Sequence, residues 1–567
     1  MKDSVLWLQL PQRNKPDDNS LYSSISDMSQ WIERTEKLKA GEKARLYFSL
    51  LVEVNSFDIP VHERLIFLGL LHSPVINLVD KLSKKFFGCG LPLDEEKSKY
   101  VELVAAFWSE LAVGYKIIID DLSDVNFITS LIRQKDLSDA VSYVMYYLIQ
   151  QLFYNYLLYT DCSMGVWRDI HQLFQFTSKK NLAAKTAKRL APEPFTSVPL
   201  SVKDQYKKIL LFSLANPYHL STNEMKVLWE KLDGWAKYAH LILDNGKALQ
   251  KQPPFFIKPY SDLPPFPNHR NTDDSTDNDM VLPDNLYEIV CGLETNKLLK
   301  HMSKTEQSSE IAAYFFKRLQ SIWLGDNHRN HQRKDLIEPV VIVMGVSSIS
   351  QFLSQIDISP KILNLDDREN QKIEFTATAY SSYQAFLMDE SEMGFRIKLN
   401  IESETAILPK IGEVVAIKHS DDRIHTGYLR WIHESREGDI ECGIEHLSSM
   451  AESVQITKNK QIERHLHDDI SEKITTLDSF VIPGSKENHY KPVLFTHTFI
   501  EKFYNARTDH LKLTHKTGSI DIKLTKKVGE VLDYSLYLFE KEEIKTFTEQ
   551  VTKEEKTEKF KAIWVKI

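Results

Sequence analysis

The stretch Glu374–Ile401, EFTATAYSSYQAFLMDESEMGFRIKLNI, carries the pattern that decides the fold of the C-terminal half. Its first part is rich in β-branched and aromatic residues, and FRIKLNI alternates strictly between apolar and polar side chains. Such alternation predicts strands with one buried face. The polar segment DESEMG between them ends in glycine, which favours a turn. We therefore predict a β-hairpin whose connection carries the pattern DxSxxG.

Strand patterns continue on both sides of this hairpin. VVIVMGV is a compact apolar run, and GEVVAIKH and GYLRWIHE follow with turn residues between them. Short strands at this spacing predict a small antiparallel barrel, which we place at residues 329–457. KPVLFTH, HLKLTH, SIDIKL and DYSLYLFE predict a second, smaller β-rich domain at 475–567 with a charged C-terminal helix.

The N-terminal half has a different period. Its apolar residues recur at helical spacing, which predicts an all-α domain at 1–250. Val166-Trp167 followed by Ile170, and Leu228-Trp229 followed by Leu232, share a faint pattern that fits either repeated helical pairs or two unrelated amphipathic helices. Helices are expected at 60–85, 136–160, 165–178, 201–215 and 222–243, with Ser201 suited to capping one of them.

Residues 251–283 interrupt both patterns. They are rich in proline and include HRNTDDSTDND, a polar acidic run that cannot bury a core, so we predict a linker there. Two helices, near 284–303 and 308–324, are predicted to follow as a pair within 284–328. The expected fold class is multidomain α+β, with a helical N-terminal region followed by two β-rich domains.

Composition limits the functions to consider. A chain of 567 residues is too long for one core, and a net charge of −8 argues against binding a nucleic-acid polymer, which usually requires a basic excess. The N-terminus has no charged region followed by an apolar one, so we expect no secretory signal. Gln150, Gln151 and Asn155 interrupt the most membrane-like stretch, 142–159, which we read as a buried helix rather than a membrane insertion.

The spacing of the cysteines and the lack of recognised catalytic motifs give no indication of a metal site or an active site. The chain has four cysteines, Cys89, Cys162, Cys291 and Cys442, which form no CxxC pair. This spacing is typical of a reducing compartment without disulfides or a zinc site, and we expect a cytoplasmic protein. HExxH, GxSxG, Walker A and a GxGxxG before a helix are all missing, so no catalytic or metal-binding residue and no cofactor is predicted.

Two short patterns carry the functional argument. The first is an RxxxR, Arg329 to Arg333, just before the first predicted strand, and the second is the DxSxxG formed by Asp389, Ser391 and Gly394. RxxxR alone is common by chance, so the inference depends on the order of the two patterns and on their strand context. In that order and setting, the region resembles the PilZ family of bacterial cyclic di-GMP receptors.

The chemistry of these residues suits such a ligand. A guanidinium can fork onto guanine O6 and N7, pair with a phosphate, or stack on a base, so Arg329 and Arg333 fit a cyclic purine dinucleotide. Asp389 could accept hydrogen bonds from guanine N–H groups, and the Ser391 hydroxyl can donate or accept. Gly394 would allow a sharp turn or a close approach of the ligand.

An alternative arginine motif stays open. Asp389 follows Arg333 at a longer interval than the family shows, which an insertion would explain. Alternatively, Arg368 and Lys372 would form the motif, but a lysine in the second position cannot fork or stack as arginine does.

The sequence is therefore compatible with three functions. The resemblance implies a cyclic di-GMP effector that signals to an unidentified protein partner through the helical region, with an output in motility, pili, attachment or exopolysaccharide. The alternative is a ligand-free scaffold for protein interactions, in which Arg329 and Arg333 point away from Asp389 or pair with acids such as Glu390. The third is an enzyme with a polar pocket in the helical half.

Overall fold

The structure is a computed structural model. It describes residues 10–16, 25–89, 91, 93–123, 127–186, 201–243, 255–258, 260–267, 291–295, 310–324, 333–355, 380–400, 409–458, 476–482, 491–498, 500, 511–516 and 518–541. The chain divides into two compact units, Met1–Pro339 with Tyr383–Gly412 and Tyr428–Glu445, and Val340–Ser382 with Glu413–Gly427 and His446–Ile567.

The N-terminal region is helical, as its apolar period predicts. Its helices are α1 Ile25–Thr35, α2 Ala40–Asn55, α3 Val61–Ser83, α4 Glu95–Ser123, α5 Phe127–Leu157, α6 Val166–Lys179, α7 Val202–Leu214 and α8 Thr222–Trp235. Ser201 caps α7 by accepting a hydrogen bond from the Asp204 amide, and Ser221 with Glu224 forms a capping box at α8. The predicted helix at 222–243 ends early, because His240–Leu243 is a strand.

The long apolar helices form the core of this region. Leu152 and Phe153 of α5 are fully buried, and Phe153 stacks on Trp229 with ring centroids 4.2 Å apart. Of the helices that the structure describes, α3 is long and apolar enough to cross a membrane, and 50% of its most apolar window is buried inside the protein.

A small antiparallel sheet follows in the region predicted as linker and helix. Its strands are β1 His240–Leu243, β2 Phe255–Ile257, β3 Phe266–Pro267 and β4 Cys291–Glu294, in the order β1-β4-β2-β3. The helix predicted at 284–303 is therefore wrong at β4. Short apolar runs do not distinguish a strand from a helix, and here the pairing of β4 with β1 and β2 decides. The helix predicted at 308–324 is α9, Glu310–Leu324.

Part of the predicted linker at 251–283 is docked on the helical region. Asp262 accepts hydrogen bonds from the amides of Gly165 and Arg168 at 2.5 and 3.1 Å, at the N-terminus of α6. The ring of His171 donates to the Leu263 carbonyl oxygen at 2.9 Å. A proline-rich composition predicted a spacer, but Asp262 supplies acceptors to amides at the start of α6, where backbone N–H groups have no partner within the helix.

Two closed antiparallel barrels form the C-terminal half. The first contains β5 Lys334–Met344, β6 Ser382–Ser391, β7 Gly394–Asn400, β8 Val414–Lys418, β9 Ile424–Glu434 and β10 Ile440–Ser448. The second contains β11 Glu452–Lys458, β12 Leu477–Ile482, β13 Val493–His497, β14 Leu511–His515, β15 Gly518–Val531 and β16 Tyr534–Lys541. Helix α10, Val346–Gln355, lies between β5 and β6 in the chain.

The boundary predicted at residue 457 falls inside a strand of the second barrel. Strand β11 pairs with β12 and β14, although the sequence prediction assigned it to the first barrel. Alternation identifies a strand but does not say which strand it pairs with, because pairing is a long-range property. The charged C-terminal helix predicted after residue 541 lies outside the described residues.

Candidate functional site

A β-bulge in strand β6 pairs Asp389 with Arg396. Along β6 every second residue up to Leu387 is buried, so simple alternation would turn Asp389 inward. The β6–β7 register shifts between Leu387 and Asp389, which pairs Asp389 with Arg396. Because a one-residue shift exchanges the two faces of a strand, the bulge brings the carboxylate to the side of Arg396.

Two guanidinium groups cover that carboxylate. Arg333 Nη1 donates to Asp389 Oδ1 at 2.6 Å, and Arg396 Nε donates to Asp389 Oδ2 at 2.6 Å. Asp389 is 5% exposed at its side chain, whereas Arg333 and Arg396 are 36% and 33% exposed. The two sequence motifs, 56 positions apart, thus meet through one short ion pair. Hydrogen bonds between ionised groups, such as this one, are stronger than those between neutral groups.

Arg396 also links this pair to strand β10. Its Nη1 lies 3.5 Å from Glu441 Oε2, and Gly443 is its partner in the β7–β10 register. Burial lowers the pKa of Arg396, but the hydrogen bond and the charge of Asp389 outweigh burial and raise the pKa above its ordinary value. Arg396 therefore stays protonated between two carboxylates.

Charged pairs continue along the same side of the barrel. Lys398 Nζ lies 2.6 Å from Asp439 Oδ2, and Arg430 Nε lies 3.5 Å from Glu445 Oε2. Neither Arg396 nor Arg430 was predicted from the sequence to be a site residue. The alternation of FRIKLNI could have selected Arg396, because its apolar residues face inward and its basic residues therefore face outward with the DxSxxG turn.

The DxSxxG motif is a tight hairpin turn. Ser391 and Gly394 are paired across it, and the Ser391 hydroxyl donates to the Gly394 carbonyl oxygen at 3.3 Å. Gly394 does not have a positive φ, so the turn itself does not require glycine. A Cβ at this position would overlap the carbonyl oxygen of Ile444 in β10, so glycine is required for strand β10 to approach.

Gly394→Ala should lower the free energy of unfolding by about 1 to 3 kcal/mol, because the added methyl meets backbone that cannot rotate away. Urea unfolding measures this loss. Gly234→Ala is the matched control, since a Cβ on Gly234 in α8 meets nothing within 4 Å and alanine should stabilise the helix by about 0.5 to 1 kcal/mol. Equal stability of Gly394→Ala and wild type would contradict the close strand approach.

The other predicted arginine-site residues lie outside the described residues. This holds for Arg329 and for the alternative pair Arg368 and Lys372. The structure therefore places Arg333, Asp389, Ser391 and Gly394 around one corner of the barrel and leaves the remaining three as predictions. Arg333 donates to Asp389, and pairing of this arginine with an acid is also compatible with the scaffold hypothesis.

A metal site and a cavity in the helical region are the other kinds of site to compare with this corner. Within the described ranges, no group of three or more His, Cys, Asp and Glu residues is arranged to hold a metal. The helical region has a cavity of about 320 Å³ whose polar lining includes His72, Asp136 and Asp139. His72 Nδ1 lies 2.5 Å from the Tyr147 hydroxyl, so one ring nitrogen is already engaged in the core.

Comparison with known proteins gives two domain matches. Residues 26–245 match the family model described as the N-terminal domain of the cyclic-di-GMP receptor FimW, and residues 355–453 match the model described as its middle PilZ domain. The curated cyclic-di-GMP receptor FimW of Pseudomonas aeruginosa is 24% identical over 363 residues, which is 62% of this chain and 56% of that receptor. The match therefore spans little more than half of the relative's length. The chain thus carries a PilZ domain, placed after a helical domain of the FimW N-terminal type.

Proposed function

We propose that this chain is a cyclic di-GMP effector whose ligand binds at the corner formed by Arg333, Asp389, Ser391 and Arg396. The contact between Arg333 and Asp389 carries the proposal, because it joins the arginine segment and the DxSxxG turn in one place. FimW, to which this chain is similar, is described as a cyclic di-GMP receptor, which supports the same ligand.

The geometry suits an anionic purine dinucleotide. Asp389 engages one N–H of Arg333, and a guanidinium has five, so the partly exposed Arg333 can contact guanine or phosphate while keeping its carboxylate partner. Arg396, also partly exposed, adds a second cation. The buried carboxylate holds both guanidinium groups in place before the ligand arrives, which lowers the entropy cost of binding.

We further propose that strand β10 transmits the ligand signal to the helical region. The β9–β10 hairpin contacts the turn after α5, where the Glu434 amide donates to the Tyr159 carbonyl oxygen at 2.8 Å. His433 Nε2 lies 2.9 Å from Asp161 Oδ1, and Arg436 donates to the Cys162 carbonyl oxygen at 3.0 Å. Because Arg396 contacts both Asp389 and β10, a ligand that rearranges Arg396 would shift this hairpin.

A cytoplasmic location, a protein partner at the helical region and a non-enzymatic role belong to the same proposal. An output in pili or motility follows from the family of the PilZ domain and not from any contact described above. The ligand-free scaffold is the second candidate, because both carboxylate oxygens of Asp389 are already paired, with Arg333 and with Arg396, without ligand.

Titration calorimetry with cyclic di-GMP tests the ligand, with GTP and cyclic di-AMP as comparators. Arg333→Ala should lose about 1 to 3 kcal/mol of binding free energy, the range of a bidentate guanine contact. Asp389→Asn should weaken binding more than Ser391→Ala, for which we expect about 0.5 to 1.5 kcal/mol. Arg423→Ala is the control, since Arg423 is an exposed arginine that pairs with Asp421. Silence with all three nucleotides would favour the scaffold.

Hydrogen exchange at the Glu434 amide tests the transmission step. This amide is bonded to the Tyr159 carbonyl oxygen, so saturating cyclic di-GMP should change its exchange rate if β10 moves against the helical region. The same ligand should leave the Glu434 amide unchanged in Arg333→Ala at equal nucleotide concentration. Binding without any change at Glu434 in the wild type would remove β10 from the signalling path.

A further inference from the structure

The two barrels have the same strand order. If the strands of each barrel are labelled a to f in chain order, the first closes as β5-β6-β7-β10-β9-β8 and the second as β11-β12-β13-β16-β15-β14. Both barrels therefore have the strand order a-b-c-f-e-d, and in both of them strand d pairs with strand a. Six strands can be ordered around a barrel in many ways, so this agreement is informative about topology.

The pairings agree in direction as well as in order. The first and fourth strands are antiparallel in both barrels, as in the pairs Val341 with Lys418 and Gln455 with Thr514. The second strand pairs antiparallel with the third, and the third with the sixth, in both barrels. The match to the PilZ family ends at residue 453, so it leaves almost the whole second barrel unassigned.

The second barrel lacks the residues of the ligand corner. The segment before β11, HLSSMA at 446–451, contains no arginine, and the β12–β13 connection, PGSKENHYKP at 483–492, contains no DxSxxG. In the first barrel the corresponding positions carry Arg333 and the Asp389 turn. Neither segment therefore supplies the arginine or the DxSxxG carboxylate that forms the corner of the first barrel.

The second barrel instead contributes to a core built around α10. Ile349, Phe352 and Leu353 of α10 belong to one buried cluster with Phe480, Phe495 and Tyr534 of the second barrel, and the same cluster includes Val343, Val414 and Ala416 of β5 and β8. Polar contacts support it: Ser350 Oγ lies 3.0 Å from Ser453 Oγ, and Gln351 donates to Asp478 at 3.0 Å. Helix α10 thus shares one core with strands from both barrels.

We propose that the second barrel is a second copy of the PilZ-type fold, without a ligand corner, whose task is to hold α10 against β5 and β8. Its apolar cluster stabilises the strand that directly follows Arg333, so the copy supports the candidate site without binding the ligand itself. The fold assignment stands on strand order alone, and only the absence of a second ligand site rests on the proposed function.

Cysteine cross-linking tests the shared strand order in the full chain. In a background with the four native cysteines replaced, Val341→Cys with Lys418→Cys and Gln455→Cys with Thr514→Cys should each oxidise to a disulfide. Gln455→Cys with Lys526→Cys should not, because β11 and β15 are not neighbours. A bridge in the first pair but not in the second would overturn the duplication.

Hydrogen exchange tests the supporting role. Phe480→Leu thins the cluster around α10 and should speed amide exchange in α10. Leu513→Val, in a separate cluster of the second barrel that contains no α10 residue, should leave α10 unchanged. Equal effects of both variants on α10, or none, would overturn this role.

Calorimetry supplies an independent outcome for the missing corner. If wild type binds cyclic di-GMP and Arg333→Ala with Asp389→Asn removes all binding, the second barrel has no site. Residual binding of one ligand per chain would overturn the ligand-free assignment while leaving the fold assignment intact.

Discussion

Asp233→Ala should lower the free energy of unfolding by about 3 to 5 kcal/mol, the loss expected when one partner of a buried ion pair is removed. Lys208 Nζ lies 2.5 Å from Asp233 Oδ1, and the side chains are 0% and 4% exposed. The same ammonium lies 4.0 Å above the Trp229 ring. Removing the carboxylate would leave the buried ammonium without this counter-charge.

Chemical unfolding of paired variants separates charge from packing. Lys208→Met combined with Asp233→Leu should recover most of the stability lost in Asp233→Ala, because no charge then remains buried. Asp80→Ala is the surface control, since the pair Lys84–Asp80 is largely exposed at the lysine and should contribute less than about 1 kcal/mol. A loss in Asp233→Ala no larger than that in Asp80→Ala would contradict the buried pair.

The stability of the helical region should fall as the pH is lowered from about 6.5 toward 4. His171 is fully buried, and burial lowers its pKa to about 4, against a smaller opposing effect of the Leu263 carbonyl. Its ring donates to the Leu263 carbonyl oxygen through Nε2, so in the neutral ring Nδ1 accepts from the Tyr206 hydroxyl at 2.8 Å, and only this second contact requires the neutral ring. Protonation of Nδ1 would remove an acceptor in the core.

The sign follows from linkage. Because the folded pKa lies below the unfolded one, the unfolded chain binds the proton first, and stability is present above about pH 6.5 and lost below it. A depression of this size corresponds to about 3 kcal/mol for one group. Burial also lowers the pKa values of His219 and His425 to about 4, so the whole protein should show a steeper loss than His171 alone.

The difference between wild type and His171→Gln isolates this contribution. The variant should be less stable at pH 7 but should lose less stability between pH 6.5 and 4.5, measured by urea unfolding at each pH. An unchanged slope in His171→Gln would show that His171 does not titrate as its burial requires.

Asp262 and Leu263, which hold α6 and His171, come from a segment that composition predicted to be a spacer. Tyr159 and Asp161, which contact the β9–β10 hairpin, lie in the turn between α5 and α6. A ligand-driven shift of the hairpin would therefore act on one of the ends of the buried α5 helix.

The amino-acid sequence by itself determined the division into a helical half and two β-rich domains, and it selected the two motifs. These are local properties: a period of 3.6 or 2 residues can be recognised within a short window, and Ser201 could be assigned as a cap from its position alone. That Arg333 and Asp389 belong to one site was implied only by the resemblance to PilZ domains, and their direct contact was not predicted.

Only the tertiary structure decided which local pattern prevails and which strand pairs with which. The apolar segment at β4 forms a strand because β1 and β2 provide hydrogen-bond partners. Strand β11 belongs to the second barrel because it pairs with β12 and β14. A bulge pairs Asp389 with Arg396, and Gly394 is required by the approach of β10 rather than by its own turn. The strand pairings and the approach of β10 depend on residues far away in the chain, and the bulge depends on the register of a hairpin; periodicity reports neither.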